Sequence, residues 1–400
     1  MAKLLKNHWL IILLLFGSII LNLHNAFTYN TTLGFDASGH IGYTQYLLNN
    51  HQLPIPHTGW EFNQPPLYYL LGAILLSVGI PVQLINLLAF YFIALLIWKT
   101  TRSKAAIIAF LALPMANIFP PLISNELLSG LFIILCLVFL LKIAEGKSQI
   151  KYIVLFSLSF ILGFYTKTTS LVVLPLLPIA LYLNNKKDLI GVLKRTLIVT
   201  VSCMVFISPF VLRNISLYGK PLVLNDDFFP FYSNKDPRDL NFFTNINWVV
   251  KLDTVNAHDY SFWGGLWNTY WIDGERVMTP VIELNKKALA LWFLGFPLTI
   301  FSIYGLIKYK KSHPKEFIIL SFFLLLSLAS LILYNLRLPY NNVLKSFFAF
   351  GIVLPYAIGI GEAYQERKIK PFLIVLLLIQ FALLLTYLYI QPWWHVVRIN

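Results

Sequence analysis

The sequence has few charged residues and only two cysteines. Charged residues make up 12% of its 400 positions, about half the fraction of a soluble domain, whereas hydrophobic residues make up 58%. This composition excludes soluble enzymes, disordered chains and nucleic-acid-binding modules, since so apolar a chain has no large soluble face for a basic patch. Cys136 and Cys203 lie inside apolar runs, which argues against a disulfide framework or a cysteine-rich metal site. The composition predicts an integral membrane protein with many spans.

Long apolar runs are the dominant feature of the sequence. A helix crosses the bilayer core, which is about 30 Å thick, with about 20 mostly apolar residues. The first run follows Lys3 and Lys6 and lacks a small-residue cleavage site, so it is predicted to be a retained span and not a signal peptide. Eleven spans are predicted, near 9–28, 82–99, 105–120, 125–142, 150–165, 168–183, 192–212, 288–307, 316–334, 343–361 and 371–390.

The basic residues predict how these spans are oriented. If the shorter apolar run 66–80 does not cross, 19 of the 31 Lys and Arg residues fall in short loops on one side. Such loops are cytoplasmic, which accounts for most of the net charge of +14 and places the N-terminus in the cytoplasm. A crossing at 66–80 would invert every later loop, so we predict a re-entrant or interfacial helix there.

The predicted architecture is therefore an all-α polytopic membrane protein, with residues 1–400 forming one integral-membrane domain. Its first outer loop, 29–81, carries juxtamembrane helices. A second outer segment, 213–287, follows the seventh span and is too short for an independent enzyme domain. We interpret this segment as a lid-like loop packed on the membrane part.

The most informative polar cluster lies in the first outer loop, shortly after the first span. If 38–50 is helical, His40 and Tyr43 share one face, and Asp36 stands at or just before the helix start. Asp36 could simply cap this helix by accepting backbone N–H groups. Alternatively, it is a carboxylate in an outward-facing cavity that acts as a general base.

Glu126 is a second acidic residue predicted on the same side of the membrane as Asp36. It stands at the outer entrance of the fourth span and follows Ser124 and Asn125. One explanation is that a glutamate in the first turn simply interacts with the helix dipole. Two carboxylates that face one cavity, however, form a better catalytic candidate than either alone.

Among the basic residues predicted on the outer side, where the charge rule disfavours them, four lie at or between the ends of spans: Lys167, Arg213, Arg337 and Lys345. A single residue of this kind usually extends along the apolar surface to reach the interface. Four together favour an anionic ligand, such as a phosphate, held at that side.

Other polar residues give weaker signals. Asp226 and Asp227 could bind a divalent metal, but no flanking ligand pattern supports this, and the histidines lack metal-ligand spacing. We therefore predict no cofactor. The residues Trp263, Trp267 and Trp271 have helical spacing and either stack on a sugar ring or pack at the membrane interface.

Several motifs occur in an order and spacing that agree with this topology. The motifs are Asp36-x3-His40-x2-Tyr43, Gln64-Pro65-Pro66-Leu67-Tyr68-Tyr69, Asn125-Glu126, Thr166-Lys167, Pro209-x3-Arg213-Asn214-x3-Tyr218-Gly219-x-Pro221 and Ser261-Phe262-Trp263-Gly264. Together they resemble the GT-C glycosyltransferases, and most of all the bacterial branch with aminoarabinose transferases and protein-mannosyltransferase-like enzymes.

The resemblance implies a hexosyl or pentosyl transferase. Such an enzyme takes the sugar from a polyprenyl-phosphate donor and passes it, with inversion, to a lipid, glycan or protein acceptor. Transfer would occur at the outer face of a cytoplasmic membrane, with Asp36 as general base and Glu126 positioning the acceptor or orienting Asp36. Donor-phosphate binding is implied for Lys167 and Arg213, and for Arg337 or Lys345. His40, Tyr43 and Trp263 would position substrate.

The sequence departs from this family at two informative positions. Many relatives have two neighbouring acids in the first loop, but here Asp36 is followed by Ala37, which favours a metal-independent site. The family's Arg-Tyr pair near the last spans is replaced by Lys345 and Ser346.

Two interpretations from other classes remain open. A transporter or flippase of a lipid-linked sugar would also need outer cations and a carboxylate, but it should bind substrate near mid-membrane between broken helices. A non-catalytic subunit of a polysaccharide assembly complex would not require Asp36.

Overall fold

The computed structural model describes residues 2–34, 36–146, 149–224, 227–228, 238–249, 260–272, 282–339 and 344–389. Every regular element within these ranges is a helix, and they contain no strand. A helix satisfies its backbone hydrogen bonds within one segment, as a bilayer interior without water requires. The chain is an all-α polytopic membrane protein, which confirms the predicted fold class.

The described residues form α-helices of very different lengths, from 4 to 31 residues. In chain order they are α1 Ala2–Thr28, α2 Ala37–Asn50, α3 Leu67–Ser77, α4 Gln83–Thr101, α5 Lys104–Leu111, α6 Pro114–Asn117, α7 Glu126–Ala144, α8 Gln149–Thr166, α9 Leu176–Asn184, α10 Leu189–Tyr218, α11 Leu240–Thr244, α12 Phe262–Trp271, α13 Ile282–Ser312, α14 Pro314–Arg337, α15 Val353–Ala363 and α16 Lys370–Leu388. The 3-10 helices are Pro56–Thr58, Thr168–Val173, Asn247–Val249 and Ser346–Ile352.

Within the described residues, eight helical segments are long and apolar enough to cross a membrane. They lie in α1, α4, α7, α10, α13, α14, the continuous segment Ser346–Ala363, and α16, and each coincides with a predicted span. The predicted spans 150–165 and 168–183 correspond to shorter apolar helices, Ile150–Thr166 and Thr168–Asn184. The total of eleven crossings stays a prediction.

The predicted span 105–120 is not one continuous helix. Leu113 has an extended backbone, with ψ of 117°, and separates α5 from α6. Pro114 causes this break, because a proline disfavours the helical conformation of the residue before it and starts a new helix well. Residues 105–111 of α5 are all buried, and α5 packs against α1, α4, α15 and α16.

Two further boundaries affect the loops. Helix α3 has 11 residues, or about 16 Å, which is too short to cross the bilayer core. Helix α10 continues through Pro209 to Tyr218 and ends at Gly219, whose φ is 68°. Residue 213, the predicted start of the lid-like loop, therefore lies inside this helix. Large parts of that loop, including Asp226, lie outside the described residues.

Helices α13 and α15 approach each other closely at two glycines. A Cβ atom at Gly305 would lie 1.8 Å from the carbonyl oxygen of Gly359, and a Cβ atom at Gly359 would lie 2.2 Å from the carbonyl oxygen of Ser302. Membrane helices gain stability mainly from such close packing, since apolar burial drives little association in lipid.

We therefore expect Gly305→Ala to destabilise the protein by about 1–3 kcal/mol, because the methyl group must separate two backbones. Gly17→Ala is the matched control, since the nearest atom to its added methyl group is 3.9 Å away, on Phe381. Thermal unfolding in detergent measures both variants. Equal midpoints for the two would contradict the assignment of this contact.

Candidate active site

The first loop holds Asp36 against Trp60. Asp36 directly precedes α2, but its side chain makes no capping hydrogen bond to the helix. Instead, Asp36 Oδ1 accepts a hydrogen bond of 2.8 Å from the indole N–H of Trp60. Of the two interpretations left open by the sequence, capping therefore does not explain this carboxylate.

An unusual turn at Glu61 brings Trp60 into this position. Glu61 has a φ of 66°, a left-handed conformation that costs energy for a residue other than glycine. The turn fits only because residue 39 is glycine: a Cβ atom there would lie 2.6 Å from Trp60 Cδ1 and 3.0 Å from Glu61 Cγ. Glu61 is also a buried acid, with 5% of its surface exposed. The sequence interpretation identified neither Trp60 nor Glu61, because no local motif marks them.

Positive charges keep Asp36 ionised despite its burial. Burial alone would raise the pKa of Asp36, but the ammonium of Lys345 opposes this most strongly. The Trp60 N–H group and Lys167 act in the same direction, and together these groups hold the pKa of Asp36 below its usual range. The structure thus brings together Asp36, His40, Lys167 and Lys345 out of the residues that the sequence singled out.

Glu126 and Lys167 form an ion pair beside this cluster. Lys167 Nζ donates to Glu126 Oε1, and it also lies 4.9 Å from the ring centre of Phe348. Only 13% of the lysine side chain and 8% of the glutamate side chain are exposed. Lys167 therefore points into the protein and does not extend to the interface. The sequence predicted both residues, but not that they are partners.

Removal of one member of this pair should cost more stability than removal of both. Lys167→Met leaves a buried, unpaired carboxylate, and we expect a loss of about 3–5 kcal/mol. The double variant Glu126→Gln, Lys167→Met leaves no buried charge and should recover most of that loss. Unfolding in detergent measures both. A double variant less stable than Lys167→Met would contradict the pairing, and Lys308→Met, in the more exposed pair with Glu366, serves as control.

A buried hydrogen-bonded chain connects His40 with the segments that carry this ion pair. His40 Nδ1 lies 2.9 Å from the Tyr69 hydroxyl, to which Asn125 Nδ2 donates at 3.5 Å. Asn125 Nδ2 also donates to the carbonyl oxygen of Thr166 at 3.5 Å. Tyr43 stacks on Tyr69, with ring centres 3.9 Å apart. Tyr69 belongs to the Pro-Pro-Leu-Tyr-Tyr motif of the sequence. This motif was the feature from which Tyr69 could have been identified as a candidate site residue.

The two arginines of the predicted set have other partners. Arg213 donates to the carbonyl oxygen of Pro54, so it connects α10 to the first loop. Arg337 lies 3.8 Å from Asp227, which also pairs with Lys220. Their predicted roles in binding a donor phosphate stay predictions.

An apolar groove of about 370 Å³ lies between α12, α13, α14 and the segment 346–356. Along α13 it extends from Thr299 to Leu306, or about 10 Å. Its wall includes Ser346, the residue that follows Lys345. Trp263, Trp267 and Trp271 also line it, and their spacing correctly predicted the helix α12. The groove wall and Lys345 are thus adjacent in sequence.

Metal ligands are not clustered in the part of the chain that the structure describes. No group of three or more His, Cys, Asp or Glu side chains that could hold a metal ion occurs among those residues. Asp227 is paired with Lys220 and Arg337, and Asp226 lies outside the described ranges.

Comparison with known proteins rests on structure, because neither a protein-family model nor a curated protein sequence matches the chain. ArnT from Cupriavidus metallidurans in the apo state is similar with a TM-score of 0.56 and 11% identity, over 92% of this chain and 62% of that one. The archaeal oligosaccharyltransferase AglB from Archaeoglobus fulgidus, in complex with an inhibitory peptide and a dolichol-phosphate, is similar with a TM-score of 0.55 and 13% identity. This match covers 96% of this chain and 56% of that one. The chain thus spans only about three fifths of the length of these two proteins. Both are GT-C membrane glycosyltransferases, and the fold of this chain is the GT-C fold.

Proposed function

We propose that this protein transfers a sugar from a polyprenyl-phosphate carrier to a lipid, glycan or protein acceptor of the cell envelope. One observation carries the proposal: the wall of an apolar groove includes Ser346, and the preceding residue, Lys345, is the cation that acts most strongly on the buried carboxylate of Asp36. A polyprenyl phosphate is complementary to these features, because its long apolar tail fits an apolar groove and its anionic head pairs with a cation. The AglB structure, which shares this fold, contains an isoprenoid phosphate of this kind.

In this proposal Asp36 is the general base. It removes the proton from the acceptor hydroxyl while that oxygen attacks the anomeric carbon of the donor sugar. The bond between that carbon and the phosphate oxygen breaks on the opposite face, so the configuration is inverted. A low pKa keeps Asp36 ionised and ready to accept the proton.

The leaving group is a lipid phosphate, which needs positive charge and not a proton. In this proposal Lys345 neutralises the charge that develops on it, and Lys167, which pairs with Glu126, is a second cation. This arrangement differs from that of glycosidases, in which a second carboxyl group protonates the leaving oxygen. One carboxylate and two cations are therefore sufficient for this transfer reaction, without a second carboxyl group as acid.

The groove provides the binding site for the first part of the polyprenyl tail. Its volume of about 370 Å³ lies in the range of small-molecule sites, about 300–1,000 Å³. Trp263 lies at the wall of the groove, where it could contact the head of the donor. We place this site at the extracytoplasmic face of a plasma membrane, because the distribution of basic residues predicts a cytoplasmic N-terminus.

The proposal is tested with the purified protein in liposomes that contain radiolabelled polyprenyl-phosphate sugars and a membrane extract as the source of acceptors. Covalent transfer of label that requires Asp36 is the expected result. Uptake of the labelled lipid across the bilayer without transfer would indicate a transporter, and neither activity would indicate a non-catalytic subunit. Donors with a tail too short to fill the groove should react far more slowly at equal concentration.

A further inference from the structure

Tyr69 is a fully buried tyrosine whose hydroxyl contacts two side chains. A buried hydroxyl that cannot donate its proton loses a hydrogen bond, which is unfavourable inside a protein. Of its two partners among the described residues, Asn125 contributes an NH₂ group, which can only donate. The imidazole of His40 is then the remaining partner that can accept the proton.

The orientation of Asn125 is fixed independently. Its NH₂ group also donates to the carbonyl oxygen of Thr166. Exchange of the amide oxygen and nitrogen would place the Asn125 oxygen against that carbonyl oxygen, where two acceptors repel each other. Asn125 therefore cannot accept from Tyr69 without losing its contact with Thr166.

The hydroxyl of Tyr69 thus donates to His40 Nδ1 at 2.9 Å. A neutral imidazole carries one proton, so when Nδ1 accepts, the proton resides on Nε2. Burial lowers the pKa of the His40 ring to about 4, which keeps the ring neutral at physiological pH. Within the described part of the chain, His40 has no other hydrogen-bond partner that would compete for Nε2.

We infer that Tyr69 is a positioning residue that fixes His40 in the Nε2–H tautomer, so that Nε2–H donates to a hydroxyl oxygen of the substrate beside Asp36. His40 follows Asp36 by one turn at the start of α2, so both side chains lie on the same face. The ring stacking of His40 on Tyr69, with centres 5.7 Å apart, holds the imidazole in the same orientation. The substrate role rests on the proposed function, whereas the tautomer does not.

The tautomer is tested directly by nitrogen NMR of the full-length protein labelled with ¹⁵N-histidine. The His40 signals are identified by their absence from His40→Gln. In the wild type we expect the protonated nitrogen to be Nε2, and Tyr69→Phe should redistribute the proton between the two nitrogens. A proton on Nδ1 in the wild type would overturn the inference, whether or not the protein shows transfer activity.

Kinetics of sugar transfer test the consequence. Tyr69→Phe should lower kcat/KM by about tenfold, the effect of one hydrogen bond of about 1.4 kcal/mol. Tyr68→Phe is the matched control, since Tyr68 is equally buried and its hydroxyl accepts from the backbone N–H of Ser124 at 3.0 Å. We expect both variants to lose similar stability, but only Tyr69→Phe to lose activity. Equal activity losses would indicate a purely structural role for Tyr69 and overturn the inference.

Glutamine and asparagine at position 40 give a sharper test. The NH₂ group of glutamine can replace the Nε2–H donor without help from a tyrosine, whereas that of asparagine replaces the Nδ1 position. We expect His40→Gln to retain most activity, and His40→Asn to lose as much as His40→Ala. Addition of Tyr69→Phe to His40→Gln should then cost nothing further. If the double variant had a kcat/KM tenfold lower than that of His40→Gln alone, the inferred coupling would be contradicted.

Discussion

Replacement of Asp36 by asparagine is expected to lower sugar transfer by about 10³-fold, the contribution of a well-placed general base. Asparagine has nearly the same shape, and its side-chain oxygen can still accept the hydrogen bond from Trp60. The substitution therefore removes the proton acceptor without removing the contact that orients residue 36. Transfer of labelled sugar by equal amounts of folded protein in liposomes measures the effect.

Asp188→Asn is the matched control for this experiment. Asp188 also precedes a helix, but its carboxylate caps that helix by accepting from the backbone N–H of Gly191 at 2.8 Å. Asparagine caps helices as well as aspartate does, so this variant should keep full activity. If Asp36→Asn retained more than a few per cent of wild-type transfer, Asp36 would not be the base.

Replacement of Lys345 by methionine is expected to lower kcat/KM by about 100-fold, as removal of one charged donor from a reacting site commonly does. Two effects combine in this variant. The developing charge of the leaving phosphate loses its main cation, and Asp36 loses the positive charge that most opposes the effect of its burial.

The second effect gives Lys345→Met a distinctive pH profile. The base must be ionised, so wild-type activity falls only when the pH drops through the low pKa of Asp36. Without Lys345 that pKa rises, and the acidic limb of the profile should therefore move to higher pH. Lys308→Met is the control, because Lys308 pairs with Glu366 at 2.7 Å, away from Asp36. A lower rate with an unshifted acidic limb would mean that Lys345 does not act on Asp36.

Much of the bundle could be predicted from the sequence, because one helix crossing requires an apolar run of a definite length. Helices α1, α4 and α7 lie close to their predicted spans. The prediction of one continuous helix over 105–120 was wrong, although the sequence shows Pro114 within this run. Hydropathy averaged over a full span cannot register one residue that breaks the backbone pattern.

The candidate site was predictable as a set of residues but not as a set of contacts. Asp36, Glu126 and Lys167 are conspicuous because charges are rare in so apolar a chain. Their partners are distant in sequence: Trp60 lies 24 positions from Asp36, and Lys167 lies 41 from Glu126. Periodicity reports which residues share a helix face, and it carries no information on which faces meet.

The burial of residues 105–111 in the short helix α5 has a consequence for the biogenesis of this protein. Helix α5 is synthesised more than 200 residues before α15 and α16, which cover part of its surface. Until those two helices have been synthesised, α5 must remain in contact with lipid or with the insertion machinery. A nascent chain that stalls before α15 would therefore expose α5 to quality control.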